Sequence, residues 1–293
     1  MKSVLKNWLL AIRPKTLPAA VAPVLLGWAL AYGDGIQDFP TVLVCLWTAV
    51  ALQIGTNLAN DYFDYEKGAD THERVGPLRV TQAGLIAPRR VLAGFIFSFI
   101  CAGFGCWFLF ERGGWPIAVL GGLSILSGIF YTAGPRPLGY IGLGEVFVLI
   151  FFGPVAVAGT YYVQSFEMNY AIILAGLGPG LLSTAILVVN NYRDIETDAK
   201  SGKHTLAVRF GRVFAQYEYV VCILAAAFLP VLLYFLIHDH IRILWAATLP
   251  FFALPALRTM FSKADGPTLN HLLAFTGKLL LLYSALFAIG WIL

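Results

Sequence analysis

Two clusters of acidic and amide side chains follow long apolar stretches of this chain, and their spacing is typical of a cation site. In the first cluster, Asn57, Asn60, Asp61 and Asp64 recur at steps of three and four residues. If the preceding helix continues through them, they project from one of its faces. Carboxylate and amide oxygens are the ligands that Mg²⁺ prefers. The first cluster therefore has the residue types of a magnesium site.

The second cluster repeats this chemistry further along the chain, where Asp194 and Asp198 are four residues apart. A helix C-terminus already carries roughly half a negative charge, so carboxylates there repel unless a cation is bound. Mg²⁺ usually shares its coordination with substrate phosphates, and Lys and Arg side chains bind phosphate oxygens. A magnesium-chelated diphosphate is therefore the indicated ligand. The basic residues that flank the two clusters are Lys67, Arg74, Arg79, Arg193 and Lys203.

The two clusters also resemble each other, since residues 60–64 (N-D-Y-F-D) align with residues 190–194 (N-N-Y-R-D). An internal duplication of this kind would bring both clusters to equivalent places around one shared cavity. The alternative is that these acids are solvated loop residues. Their pairing, their helical spacing and the flanking basic residues argue against it.

The composition indicates the elements that must position these residues. Hydrophobic residues make up 59% of the 293 residues and charged residues 12%, against about 45–50% and about 25% in soluble proteins. Because lipid offers no partners for backbone polar groups, the apolar stretches must be helices. We predict a single all-α domain over residues 1–293, a polytopic bundle with a central cavity, preceded by a short amphipathic helix. The nine predicted spans are residues 17–32, 39–58, 91–110, 114–132, 141–163, 170–190, 219–237, 243–257 and 272–293.

The distribution of basic residues predicts the orientation of the bundle. Eighteen of the 20 Lys and Arg residues fall on the side that holds the N-terminus, and Arg112 and Arg242 fall on the other. The positive-inside rule then places the N-terminus and both acidic clusters on the cytoplasmic side. The net charge of +4 is thus distributed by side of a membrane and not gathered into a groove, so nucleic acid is excluded as a partner.

Several segments of this sequence resemble the menaquinone branch of the UbiA superfamily of intramembrane aromatic prenyltransferases. The first cluster matches that family's N-D-x-x-D motif and the second its D-x-x-x-D motif. The family's first motif often has a third aspartate, but Gly68 stands at that position here, with Glu66 and Asp70 as neighbouring acids. The other matching segments are R-P-K-T-L-P (13–18), G-P-L-R-V-T-Q-A-G (76–84), Y-T-A-G-P (131–135), G-L-G-E (142–145) and G-K-H-T-L-A-V-R (202–209).

The resemblance implies transfer of a polyprenyl group from polyprenyl diphosphate to 1,4-dihydroxy-2-naphthoate. Demethylmenaquinone, diphosphate and CO₂ would be the products. The implied Mg²⁺ ligands are Asn60, Asp61, Asp64, Asp194 and Asp198, and the four aspartates are catalytic together with Tyr131 and Lys203. The implied substrate-binding residues are Asn57, Asn60, Lys67, Arg79, Arg136, Arg193 and Lys203.

Two alternatives to this hypothesis remain. The first is an enzyme of the same superfamily with another acceptor or tail, such as 4-hydroxybenzoate or phytyl diphosphate. The second is a secondary transporter, but transporters place ionisable groups near the bilayer midplane, whereas the acids here cluster at the ends of spans. The predicted spans and the resemblance together lead us to expect an integral protein of a bacterial cytoplasmic membrane.

Overall fold

A computed structural model describes residues 2–69, 76–262 and 265–293, and all regular elements in these ranges are helical. Asp70 and Arg74 lie outside the described residues. The first five helices are α1 (Lys2–Ile12), α2 (Pro18–Gly33), α3 (Phe39–Glu66), α4 (Pro88–Gly113) and α5 (Trp115–Phe130). The later ones are α6 (Gly144–Ile150), α7 (Ala156–Ser165), α8 (Tyr170–Lys200), α9 (Leu206–Ile237), α10 (Leu249–Met260) and α11 (Gly266–Ile292). Shorter turns are the 3₁₀ segments Pro14–Thr16 and Ile241–Thr248 and the π-helical segment Phe151–Val155, which joins α6 to α7.

Four of the long helices begin at residues whose side chains accept a hydrogen bond from the first turn. Asp38 caps α3, Asn169 caps α8, Thr205 caps α9 and Asp265 caps α11. Such caps satisfy backbone N–H groups that have no partner within the helix. The starts of these helices are therefore fixed locally by sequence.

The predicted all-α membrane fold is confirmed, and each predicted span coincides with a helix or with two helices joined at a break. Seven segments of the described chain are long and apolar enough to cross a membrane, and an eighth is added if α1 and α2, bent by 53°, count as one span. Helix α5 has 16 residues and falls below that length. Nine spans therefore stay a prediction.

Helices α3 and α8 extend well past the predicted ends of their spans. The sequence placed these ends at residues 58 and 190, but α3 continues to Glu66 and α8 to Lys200. At a rise of 1.5 Å per residue, the extensions add about 12 Å and about 15 Å. Both acidic clusters are therefore on helices and not in loops.

The main core lies between α2, α8, α9 and α11, where Tyr219, Tyr283 and Phe287 are fully buried. The broken helix α6–α7 packs against α8 through glycines. A Cβ atom on Gly176 would lie 2.8 Å from the Pro154 Cα atom, and one on Gly153 would lie 2.8 Å from the Gly176 carbonyl oxygen. These positions therefore need glycine for close helix packing.

The outer face of the bundle is apolar, as a lipid-facing surface must be. Trp47, Phe97, Phe104 and Phe251 are all more than half exposed. The amphipathic α1 packs Trp8 against a small cluster of buried side chains from α1, α3, α4 and the segment between α3 and α4. This contact holds the N-terminal segment beside the end of α3 that carries the first acidic cluster.

Candidate active site

An elongated cavity of about 360 Å³ connects the two acidic clusters to the interior of the bundle. At its deep end it is lined by Cys45, Leu109, Ile117 and Val163. Cys45 lies nineteen residues before Asp64 on α3, which corresponds to about 28 Å along the helix. The cavity therefore has an apolar depth and a polar mouth. The charged and amide residues at that mouth are Asn60, Asp64, Arg79, Asn190, Asn191, Asp194, Asp198 and Lys203.

Asp64 contacts three side chains from other parts of the chain. It is 1% exposed. Its Oδ2 atom accepts hydrogen bonds from Arg79 Nη2 at 2.8 Å and from Lys203 Nζ at 3.2 Å, and its Oδ1 atom accepts one from the Tyr140 hydroxyl at 2.7 Å. Lys203 Nζ also lies 3.9 Å from Asp198 Oδ1. Lys203 therefore connects the acids of the two clusters directly.

Asp194 is held by a residue of its own helix. Arg193 donates from Nε and Nη2 to the two Asp194 oxygens at 2.8 and 2.6 Å, and it also donates to the side chains of Asn190 and Asn270. The Arg193 side chain is completely buried and does not line the cavity, whereas Asp194 does. In the structure Arg193 thus contacts Asp194 and lies outside the cavity lining, and its role in substrate binding stays a prediction.

Asp61 points away from the cavity, unlike the other acids of the predicted set. Its Oδ2 and Oδ1 atoms accept hydrogen bonds from the backbone N–H groups of Val80 at 3.2 Å and Thr81 at 3.1 Å. It is 1% exposed and is not part of the cavity lining. Its carboxylate therefore binds the backbone of the segment that follows Arg79.

The two asparagines of the first cluster have separate contacts. Asn57 Nδ2 donates to the Ile12 carbonyl at 2.8 Å and to Thr16 Oγ1 at 3.1 Å, which ties the segment between α1 and α2 to α3. Asn60 Oδ1 accepts a hydrogen bond from Thr132 Oγ1 at 2.8 Å. Both asparagines line the cavity, so each is available to a bound molecule.

Tyr140 contacts Asp64 and two lysines of this site. The ammonium groups of Lys67 and Lys203 lie 4.7 and 4.8 Å from the centre of its ring, within the range of cation–π contacts. Lys67 Nζ also donates to the carbonyls of Thr132 at 2.6 Å and Gly134 at 3.2 Å. Tyr140 lies in the loop between α5 and α6, distant in sequence from both acidic clusters. Only the folded chain therefore shows that it joins them.

Burial and two charged neighbours set the pKa of Lys67. Burial lowers this pKa, Asp64 raises it, and the Lys203 ammonium lowers it again, for a net lowering.

Among the other predicted residues, Tyr131 lines the cavity. Arg136 and Glu66 are exposed, and neither contributes to the cavity lining.

The side chains at the mouth offer oxygen ligands to a magnesium ion. Within the described ranges, no three His, Cys, Asp or Glu side chains converge closely enough to hold a metal by themselves. Mg²⁺ does not require such a cage, because it keeps several waters and binds through one or two carboxylates plus substrate phosphates. Three carboxylates and three amides at the mouth supply only oxygen ligands, and basic side chains able to bind phosphate stand beside them. The residues therefore fit Mg²⁺ bound together with a phosphate-bearing substrate.

Comparison with known proteins agrees with this chemistry. The model of the UbiA prenyltransferase family matches residues 20–282. A 1,4-dihydroxy-2-naphthoate octaprenyltransferase of Haemophilus influenzae is 39% identical, with 98% of this chain and 96% of the relative covered. A protein of the same name from Escherichia coli is 41% identical over 97% of this chain and 94% of the relative.

The fold matches solved structures as well. The structure of a UbiA homolog from Archaeoglobus fulgidus bound to GPP and Mg²⁺ superposes with a TM-score of 0.69 at 17% identity, covering 98% of this chain and 99% of that chain. The apo structure of a UbiA homolog from Aeropyrum pernix gives a TM-score of 0.66 at 12% identity, over 92% and 96% of the two chains. At these identities the likeness concerns the fold.

Proposed function

Because this chain belongs to the UbiA prenyltransferase family, we propose that it transfers a polyprenyl group from polyprenyl diphosphate to 1,4-dihydroxy-2-naphthoate. Diphosphate and CO₂ leave, and the direct product is the hydroquinone demethylmenaquinol, which a separate two-electron oxidation converts to demethylmenaquinone in menaquinone biosynthesis. The observation that carries the proposal is one cavity with an oxygen-rich, cationic mouth and an apolar depth. A lipid-tailed diphosphate needs these two environments side by side.

The diphosphate binds at the mouth. In the structure, Lys203 and Arg79 neutralise Asp64, and these same cations are placed to contact diphosphate oxygens when the substrate enters. Asp64, Asp194 and Asp198, with Asn60, would hold Mg²⁺ together with the diphosphate, and the ion supplies positive charge that stabilises the departing diphosphate. Asp61 is left out of this set, because both of its oxygens accept backbone hydrogen bonds.

The acceptor reacts just below the mouth. The electron-rich naphthalenediol ring attacks the allylic carbon at its own carboxylated position, the C–O bond to diphosphate breaks, and loss of CO₂ restores aromaticity. Tyr131 lies on the cavity wall at this level. Its ring face is suited to stabilise allylic positive charge by about 0.5–2 kcal/mol. The apolar walls contributed by Phe147 and Phe151 exclude water that would otherwise capture the cation.

The prenyl tail occupies the apolar depth. This part of the cavity ends among the side chains of a small buried cluster that includes Cys45, Leu109 and Val163. A hydrocarbon tail gains free energy when it leaves water for such a surface. The same argument favours entry of the tail from the bilayer.

The protein is an integral membrane protein, and we propose that the mouth faces the cytoplasm in a bacterial cytoplasmic membrane. The support is the excess of Lys and Arg on the side of the mouth under the positive-inside rule. Arg112 and Arg242 lie at the opposite ends of their helices. The water-soluble naphthoate would then reach the mouth from the cytoplasm.

An assay of the purified chain in lipid nanodiscs tests this function. Octaprenyl diphosphate and naphthoate labelled with ¹⁴C in the carboxyl group should yield demethylmenaquinol, detected as demethylmenaquinone after oxidation in air, and an equal amount of labelled CO₂. Chelation of divalent cations should stop both. Parallel reactions use 4-hydroxybenzoate and phytyl diphosphate. A product formed only with one of those alternatives, or no product with any pair, would overturn the proposal.

A further inference from the structure

Asp61 has the setting of a backbone anchor. It is almost completely buried, one turn of α3 before Asp64, and its two oxygens each accept a hydrogen bond from a different backbone N–H group. We propose that Asp61 is a positioning residue that fixes the 79–84 turn, and through it Arg79, at the cavity mouth. The inference rests on the proposed function, because it concerns how that site is built.

The turn that Asp61 anchors is a short helical turn. The Ala83 N–H donates to the Arg79 carbonyl at 3.0 Å, the Gly84 N–H to the Thr81 carbonyl at 3.0 Å and the Leu85 N–H to the Val80 carbonyl at 2.9 Å. The leading N–H groups of such a turn have no partner inside it. The Asp61 carboxylate supplies that partner from a neighbouring helix, in the way that a capping side chain does from the same chain segment.

The anchored turn is directly connected to the site. Val80 is fully buried in a cluster with Leu58 and Val91, so the turn is held by packing on one side and by Asp61 on the other. Arg79 immediately precedes these anchored residues and donates to Asp64 at 2.8 Å. A shift of the turn therefore moves the Arg79 guanidinium relative to Asp64 and to the cavity.

The same contacts argue against direct metal binding by Asp61. Asp64 and Asp198 line the cavity, and Asp61 does not. To bind a metal ion, the Asp61 carboxylate would have to give up its hydrogen bonds to two backbone N–H groups. A buried N–H group left without a partner costs free energy. Within one motif, therefore, Asp61 is an anchor and Asp64 is a residue of the cavity lining.

Replacement of Asp61 by asparagine tests the proposal in the full-length protein in nanodiscs. The asparagine side chain keeps the size of the aspartate but turns an NH₂ group toward one of the two N–H donors. We expect kcat/KM for prenyl diphosphate to fall about tenfold, the equivalent of 1.4 kcal/mol. The KM for naphthoate and the Mg²⁺ concentration for half-maximal activity should stay unchanged. The Asp64→Asn variant should instead raise the Mg²⁺ requirement.

A double-mutant cycle with Arg79 shows whether Asp61 acts through that residue. If it does, Asp61→Asn in an Arg79→Ala background should cost little beyond Arg79→Ala alone, because coupled residues are not additive. Fully additive losses would overturn the proposal. So would a tenfold rise in the Mg²⁺ requirement of Asp61→Asn.

Three further variants keep the test interpretable if Asp61→Asn folds poorly. Asp61→Ser retains an oxygen that accepts an amide hydrogen bond but has no charge for a metal, so it should recover part of the activity that Asp61→Ala loses. Equal activity of the Ser and Ala variants would contradict the proposal. Asp265→Asn is the matched control, because Asp265 is also a carboxylate that caps a helical turn but is exposed and distant from the cavity. It should leave the kinetics and the Mg²⁺ requirement unchanged.

Amide hydrogen exchange distinguishes failure of this proposal from failure of the proposed function. Loss of the Asp61 carboxylate should speed exchange at the Val80 and Thr81 amides whether or not the protein transfers prenyl groups. Unchanged exchange at both amides would overturn the anchor. A wild-type protein without any prenyl transfer would overturn the proposed function alone.

Discussion

The acidic clusters at the ends of α3 and α8 share a sequence pattern but are neutralised in different ways. On α3, Asp64 is bound by Arg79, Tyr140 and Lys203, which lie 15, 76 and 139 residues further along the chain. On α8, Asp194 is bound by its immediate neighbour Arg193. The partners of Asp64 therefore come from distant parts of the chain, whereas Asp194 is bound by its neighbour on α8, which in turn reaches Asn270 of α11.

The two clusters are also alike in what their second and fifth motif residues contact, which the aligned sequences suggest only indirectly. The second position of the first motif, Asp61, reaches the 79–84 turn. The equivalent position of the second motif, Asn191, donates to Glu145 on α6 at 2.8 Å. In both motifs this position binds a neighbouring element, and the fifth position, Asp64 or Asp194, lines the cavity. The difference in residue type follows from the partner, since backbone N–H groups need an acceptor and a carboxylate needs a donor.

The largest effect is expected for Asp64→Asn, because this residue joins the two halves of the site. We expect kcat to fall by about a thousandfold, the order of loss seen when a group that stabilises developing charge is removed, with the helical circular dichroism spectrum unchanged. Asp239→Asn, an exposed acid at the other end of the bundle, serves as the control. Near-normal activity of Asp64→Asn would mean that the first cluster does not carry the chemistry.

A smaller effect is expected for Arg193→Lys on α8. The guanidinium group makes a two-point contact with Asp194 and also reaches Asn190 and Asn270, and a lysine ammonium cannot reproduce that planar fork. We expect kcat/KM to fall about 10- to 100-fold, because a displacement of about 1 Å in a catalytic group costs this much, and the thermal unfolding temperature to fall as well. Lys203→Arg is the comparison, and it should be tolerated better because Lys203 makes single-point contacts. The opposite ranking would contradict the support of Asp194 by the Arg193 guanidinium.

Asn191→Asp tests the second position of the α8 motif. The aspartate has no donor for Glu145, so two buried carboxylates would face each other. We expect a loss of stability of about 1–3 kcal/mol, the usual penalty for a buried polar group that loses its partner, measured by denaturation in detergent. Asn191→Asp combined with Glu145→Gln should recover most of it. A single variant as stable as the wild type would contradict the assigned hydrogen bond.

The smallest effect is expected from the charge of Lys67, which lies beside the mouth over the ring of Tyr140. Because burial lowers its pKa, its ammonium loses the proton at a lower pH than an ordinary lysine. Any contribution to diphosphate affinity is therefore present at low pH and lost as the pH rises through that lowered pKa. The KM for prenyl diphosphate should rise a few-fold at alkaline pH in the wild type, and less in Lys67→Arg, which stays charged. Identical pH profiles would remove Lys67 from the site.

Much of the fold could be predicted from the sequence because lipid permits so few backbone structures. Long apolar stretches identified the helices. They also identified the α6–α7 span, although the segment around Pro154 breaks its helix. The ends of α3 and α8 were missed, because polarity along the chain marks where the apolar stretch stops and not where the helix stops. The acids on these extensions were found from their spacing alone.

The site could be predicted only in part. The spacing of the motifs identified Asp64, Asp194 and Asp198 as cavity residues, but it could not separate Asp61 from them, since all four share the same residue type and helical period. Likewise, Arg193 and Arg79 look alike in sequence as flanking cations. Burial and hydrogen-bond partners, which depend on helices distant in sequence, make one a support for Asp194 and the other a partner of Asp64 at the cavity mouth.

The central claim is that acids from α3 and α8 act on one diphosphate in one cavity. Its most direct test is equilibrium binding of an unreactive geranyl S-thiolodiphosphate to the protein in nanodiscs with Mg²⁺. Asp64→Asn and Asp198→Asn should each weaken binding at least about tenfold, or 1.4 kcal/mol, and the double variant should lose less than the sum of the two, as expected for residues that share a ligand. Unchanged affinity in either single variant, or strictly additive losses, would contradict the claim.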